Sequence, residues 1–91
     1  MHIIVVYDIS DDKRRERLRK SLLCFGNPVQ KSVFECDLTF RQIEKMTRVI
    51  RGIMSKDLDN VRYYQLCKSC AKMVEVFGGK PLDKIKGVYV V

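Results

Sequence analysis

Ile3-Ile4-Val5-Val6-Tyr7 is an unbroken apolar run, β-branched at every position but the last, and it stops on Asp8. A run with no polar alternation describes a strand covered on both faces, and so a central strand of a sheet. A carboxylate that ends such a strand just before a helix start is fixed by the strand and opened to solvent by the loop. The rest of the chain must therefore supply strands on either side of this one.

Ser10 is an N-cap candidate for a helix reaching about Cys24, with Asp11 and Asp12 in the first turn where the helix dipole favours negative charge. Leu18, Leu22 and Phe25 give its apolar stripe, widened by Leu23. The remainder is basic: Lys13, Arg14, Arg15, Arg17, Arg19 and Lys20, opposed only by Glu16. Gly26-Asn27-Pro28 reads as its terminator. Val29 to Leu38 reads as one half-exposed strand, with Gln30, Ser32, Phe34, Cys36 and Leu38 on one face. Thr39-Phe40-Arg41-Gln42 is a capping-box pattern. It opens a helix with Ile43, Met46, Ile50, Ile53 and Met54 inward and a basic row, Arg41, Lys45 and Arg48, on another face. That row is compatible with a solvated surface. Val61 to Cys67 reads as a third strand and Ala71 to Phe77, which alternates, as a fourth. After a breaker at Gly78-Gly79-Lys80-Pro81, Val88 to Val91 forms a short C-terminal strand. The expectation is a single domain over residues 1–91, of class α+β. Its pattern is the ferredoxin-like split βαβ sandwich, two helices on one face of an antiparallel sheet plus the short C-terminal strand. Apolar residues on the uncovered face point to a homodimer through the sheet.

Lysine and arginine number 18 against 11 acids, a net charge of +7. That excess calls for an anionic partner, nucleic acid foremost. With 46% hydrophobic and 32% charged residues the chain is a folding one, not a disordered one. No apolar run approaches the ~20 residues that cross a bilayer, so no membrane association is expected. The opening apolar run lacks a basic lead and is cut by Asp8, so no signal peptide is expected and the location is read as cytoplasmic. Cys24 and Cys36 then read as reduced core thiols. Cys67 and Cys70 form a C-x-x-C, but no second such pair exists and His2 is the only histidine, so no zinc is expected. A redox pair needs its first cysteine at a helix N-terminus, whereas this one follows a strand, so ordinary thiols are expected.

Asp8 is the first candidate for chemistry. Mg2+, or Mn2+ in its place, is commonly held by one or two carboxylates, with water and substrate phosphate completing the shell. A two-fold axis that brings Asp8 of one chain to Asp8 of a second would supply both carboxylates from one residue. Alternatively Asp8 only ends the strand and helps the turn. Arg14, Arg15, Arg17 and Arg19 follow on the adjacent helix, where guanidinium groups match phosphate, or where they form a solvated face. Tyr7, Phe34, Tyr63 and Tyr64 could stack on bases or pack in a core.

Val6-Tyr7-Asp8-Ile9-Ser10-Asp11 closely resembles the first-strand signature of the small CRISPR-associated Cas2 family. Gln30-Lys31-Ser32-Val33-Phe34-Glu35 resembles that family's second signature, at the right distance from the first. The basic helix between them and the chain length agree. The resemblance covers the whole chain and implies a ferredoxin-like homodimer with a metal site made by paired first-strand aspartates, here Asp8. It implies an endonuclease acting on single-stranded RNA or duplex DNA, and a place in spacer acquisition for antiviral defence. There the dimer bridges two dimers of the CRISPR integrase partner and holds duplex DNA, a scaffold role that some members serve without cleavage. Arg15 and Arg17 match arginines that matter in some members. Tyr7 and Ser10 lie within the first motif, and Phe34 matches the motif phenylalanine, in a packing or positioning role. Some members carry an arginine just before the second motif, where this chain has Pro28. A third possibility of a different class is a toxin-like endoribonuclease with an antitoxin partner.

Overall fold

A computed structural model describes residues 1–78. The run at the start of the chain forms β1 (His2–Asp8), which lies between two other strands. It is followed by α1 (Asp12–Leu22), β2 (Gly26–Gln30), β3 (Val33–Asp37), α2 (Phe40–Ile53), β4 (Asn60–Leu66) and α3 (Lys68–Ala71). The strand order is β2-β3-β1-β4, and each neighbouring pair is antiparallel. That order with α1 and α2 as the connections is the ferredoxin-like α+β fold.

β1 is central because its residues have partners on both edges. Val5 sits opposite Phe34 of β3 and Tyr63 of β4. Ile3, Val5 and Tyr7 are buried beneath the helices, joined by Leu18 and Leu22 of α1 and Met46, Ile50 and Ile53 of α2. Ile4 and Val6 point to the second face and are only half-buried. The uniform apolar run thus serves two unequal faces, because both long helices pack on the same side.

Two strand assignments from the sequence are corrected. Val29 to Leu38 is not one strand but the second half of a β2–β3 hairpin. The break falls at Ser32, whose φ of 99° lies in the left-handed region and turns the chain. β2 begins at Gly26, within the stretch read as a terminator. Gly26 is required there because an added Cβ would overlap the Glu35 carbonyl oxygen and the Cys36 sulfur. Pro28 is tolerated because β2 is the edge strand, where a missing N–H need not break the sheet.

Ala71 to Phe77 is likewise not a fourth strand. Lys68–Ala71 is a short helix, and the alternation beyond it separates half-buried Val74 and Val76 from exposed Met73, Glu75 and Phe77 without sheet pairing. Alternation records two faces, not a hydrogen-bonded neighbour. This segment folds back over the second face of the sheet near the start of β1. There Val74, His2, Ile4, Glu35 and Leu66 help line a cavity of about 40 Å³. The expected C-terminal strand at Val88 to Val91 lies outside the described residues.

Helix ends follow local chemistry. The N-cap of α1 is Asp11 and not Ser10, because the Asp11 carboxylate accepts the Arg14 amide at 2.9 Å. The helix ends at Leu22, two residues before the expected stop. The expected capping box of α2 is present: Thr39 Oγ1 accepts from the Gln42 amide at 3.3 Å, and Gln42 Oε1 accepts from the Thr39 amide at 2.8 Å.

Candidate nucleic-acid and metal site

Asp8 is the last residue of β1, opposite Asn60, the first of β4. Strand alternation turns it away from the helices, onto the same face as Ile4 and Val6. It is exposed, and among the described residues no hydrogen bond or ion pair occupies its carboxylate. Both oxygens are thus available to an external cation or proton.

The basic helix starts beside it, but its arginines are not equivalent. Arg14 reaches back to Asp59, in the connection between α2 and β4. Its Nε donates to Oδ2 at 2.9 Å and its Nη2 to Oδ1 at 3.2 Å, a two-pronged pair. Asp59 has no exposed side-chain surface and also accepts from the Ser55 amide at 2.7 Å. The Arg14 guanidinium, then the Ser55 amide, hold this carboxyl below its ordinary value. Arg15 donates to the Ile9 carbonyl at 3.0 Å and pairs with Asp12, which ties the Asp8-to-Asp11 turn to the helix. Arg19 makes two hydrogen bonds to Glu16, at 3.1 and 2.8 Å. Arg17 is exposed and is the one arginine of α1 without an ion pair among the described residues. It lines an open, mostly basic surface with Lys13 and Lys20.

The aromatic candidates divide in the same way. Tyr7 and Phe34 are buried, with ring centroids 6.3 Å apart, so both pack in the core. Burial pushes the Tyr7 phenol up, against the opposing effect of Arg19. Tyr63 and Tyr64 remain partly exposed on β4. Ser10 is exposed in the turn after Asp8.

Sequence reasoning missed Asp59. It stands in a stretch that reads as a polar turn, and its partner is 45 positions away. The only sequence signal is an acid next to the start of a strand. The clamp matters to the site because Asp59 precedes Asn60, and Asn60 is the β4 residue opposite Asp8.

The donor set can be weighed against a metal. Among the described residues no three His, Cys, Asp or Glu side chains converge to hold one. A single free carboxylate does suit Mg2+, which keeps most of its waters and takes the remainder from a second carboxylate or from substrate phosphate. The residues therefore fit a shared site and not a closed one within a single chain.

Fold and site together define a ferredoxin-like protein with one free strand-end carboxylate beside a basic helix. The family model described as "CRISPR associated protein Cas2" matches residues 1–74. A Chloroflexus aurantiacus protein named CRISPR-associated endoribonuclease Cas2 1 is 38% identical over 96 aligned positions, covering all of both chains. The crystal structure of Streptococcus pyogenes Cas2 superposes with a TM-score of 0.76 at 30% identity, covering 86% of this chain and all of that one. A chain of a partial Cas6-RT-Cas1–Cas2 complex gives 0.64 at 30% identity, over 92% of this chain and 98% of that one. The chain belongs to the Cas2 family.

Proposed function

We propose that this chain acts in CRISPR adaptation as a metal-dependent endonuclease, working as a homodimer in which Asp8 of each protomer contributes to one Mg2+ site. The observation that carries this reading is the exposed, unpartnered Asp8 carboxylate at the end of the central strand. Bound there, Mg2+ supplies polarisation of a phosphodiester and a lowered pKa for an attacking water. The chain itself holds the Asp8 backbone between two strands, braces the following turn through Arg15 and offers Arg17, Lys13 and Lys20 to the phosphate backbone. The endoribonuclease name of the Chloroflexus relative supports RNA as the first substrate to try.

The test compares wild type with Asp8→Ala on single-stranded RNA and duplex DNA, with and without Mg2+ or Mn2+. Metal-dependent cleavage by wild type that falls to background in the variant is the expected result. Equal cleavage by both removes Asp8 from the chemistry.

A second reading, a DNA-holding scaffold between integrase dimers, has its own support. A structural neighbour is a chain of a complex that contains Cas1. In addition, the ties of Arg14, Arg15 and Arg19 fix the helix, and Arg17, Lys13 and Lys20 stand together on its open side as a surface for a phosphate backbone. Spacer integration in cells that persists with Asp8→Ala supports the scaffold, and its loss with an intact dimer argues against it.

A further inference from the structure

The cysteine pair after β4 has a geometry the sequence did not lead one to expect. Cys67 does follow a strand, but it also stands as the cap residue of α3, and Cys70 lies one turn further on. The Cys67 sulfur accepts the Cys70 amide at 3.4 Å and lies 3.6 Å from the Ser69 hydroxyl. Both thiols are exposed.

We propose that Cys67 and Cys70 form a reversible dithiol–disulfide couple that exchanges with small disulfides of the glutathione class, with Cys67 as the attacking sulfur and Cys70 as the resolving one. The roles follow from the environments. Donors converge on Cys67, first the Cys70 amide and then the Ser69 hydroxyl and Cys70 thiol, and bring it down to about 7. Cys70 is raised by the neighbouring Cys67 side chain and by the charge that develops there. The other two cysteines lack this arrangement. Cys36 is in the core, where burial pushes its thiol up to about 11, whereas Cys24, expected in the core, is exposed beyond the end of α1 and has no partner sulfur in any hydrogen bond among the described residues.

The exchange runs in two steps. The Cys67 thiolate attacks one sulfur of the small disulfide, forming a mixed disulfide and expelling one small thiolate. Cys70 then gives up its proton, attacks the Cys67 sulfur, closes the Cys67–Cys70 bond and expels the second thiolate. The protein loses two electrons and two protons, and one small disulfide becomes two small thiols.

Exposure makes the bond an exchangeable one: both sulfurs stand at the surface, and an exposed disulfide is more easily reduced than a buried one. Ala71 is buried directly after this turn and Val74 covers the second face of the sheet, so the couple sits at the root of that covering segment.

The experiment treats the reduced full-length protein with glutathione disulfide and follows it by intact mass and peptide mapping. Wild type is expected to lose two hydrogens, with Cys67 joined to Cys70, and to recover them with dithiothreitol. Cys70→Ser is expected to retain glutathione on Cys67, and Cys67→Ser to react at least about tenfold more slowly at Cys70, as loss of the more ionised thiol requires. A wild type that stays reduced, that accumulates only mixed disulfide, or that crosslinks between chains overturns the couple. So does Cys24 reacting as fast as Cys67. Stoichiometric zinc released from the purified protein by Cys67→Ser also overturns it, in favour of a metal site.

Discussion

Asp59 shows how much one side chain can settle. Its carboxylate is shielded from solvent and meets Arg14 of α1 through two hydrogen bonds, so it joins three pieces of the fold: the first helix, the α2–β4 connection and, through Asn60, the edge opposite Asp8. Because Asp59 is held below its ordinary value, its contribution to stability is complete above the unfolded aspartate value of about 3.9 and is lost as pH falls through the lower folded value. Asp59→Asn is therefore expected to unfold several degrees lower at neutral pH. It should also show a shallower loss of stability on acidification than wild type, read from thermal scans across that range. An equal acid dependence in both proteins places the acid sensitivity elsewhere. None of this pairing was legible in the sequence. Asp8 was, because a buried strand that stops on an acid is a local pattern, whereas a contact spanning 45 positions leaves no local mark.

At the scale of elements, the two long helices were legible, whereas the short α3 was not and the strands were only partly so. α2 declared itself through its capping box and an apolar face repeated at helical spacing, both of which are properties of neighbouring residues. The β2–β3 hairpin did not, because its turn is built on Ser32 and not on a glycine pair, and a proline lies inside the edge strand. The miscount compensated itself. One strand too few before α2 and one too many after β4 still gave a ferredoxin-like sheet. Gly26 offers the sharpest test of the hairpin. Gly26→Ala must displace both the Glu35 carbonyl and the Cys36 sulfur, and is expected to cost about 1–3 kcal/mol, measured by urea unfolding. A neutral result means that β2 shifts away from β3 freely.

At the scale of the whole molecule, charge and apolar surface point to two different partners. The excess of seven positive charges has a local expression on α1, where Arg17 stands with Lys13 and Lys20. Arg17→Ala is expected to weaken nucleic-acid binding at every sequence and to lower the slope of log affinity against log salt by about one, read by titration at several salt concentrations. An unchanged slope removes Arg17 from the phosphate contacts. The second face of the sheet carries Ile4, Val6, Val33 and Leu66, half-buried with no helix as long as α1 or α2 over them among the described residues. Val6→Lys is expected to convert a dimer to a monomer in light scattering while leaving the circular dichroism unchanged. A variant that stays dimeric moves the interface to another surface.

The central position of β1 has a consequence for how the chain is made. Ile3 to Tyr7 are synthesised well before their partners on one side, Val61 to Gln65, which lie more than 50 positions further along the chain. At about 5–20 residues per second the strand waits several seconds for that edge. In the interval it can recruit α1 and then the β3 hairpin, the nearer of its two neighbours in the chain. An unbroken apolar strand thus stands with one open edge during that interval, and the basic helix immediately behind it is the next element able to shield it.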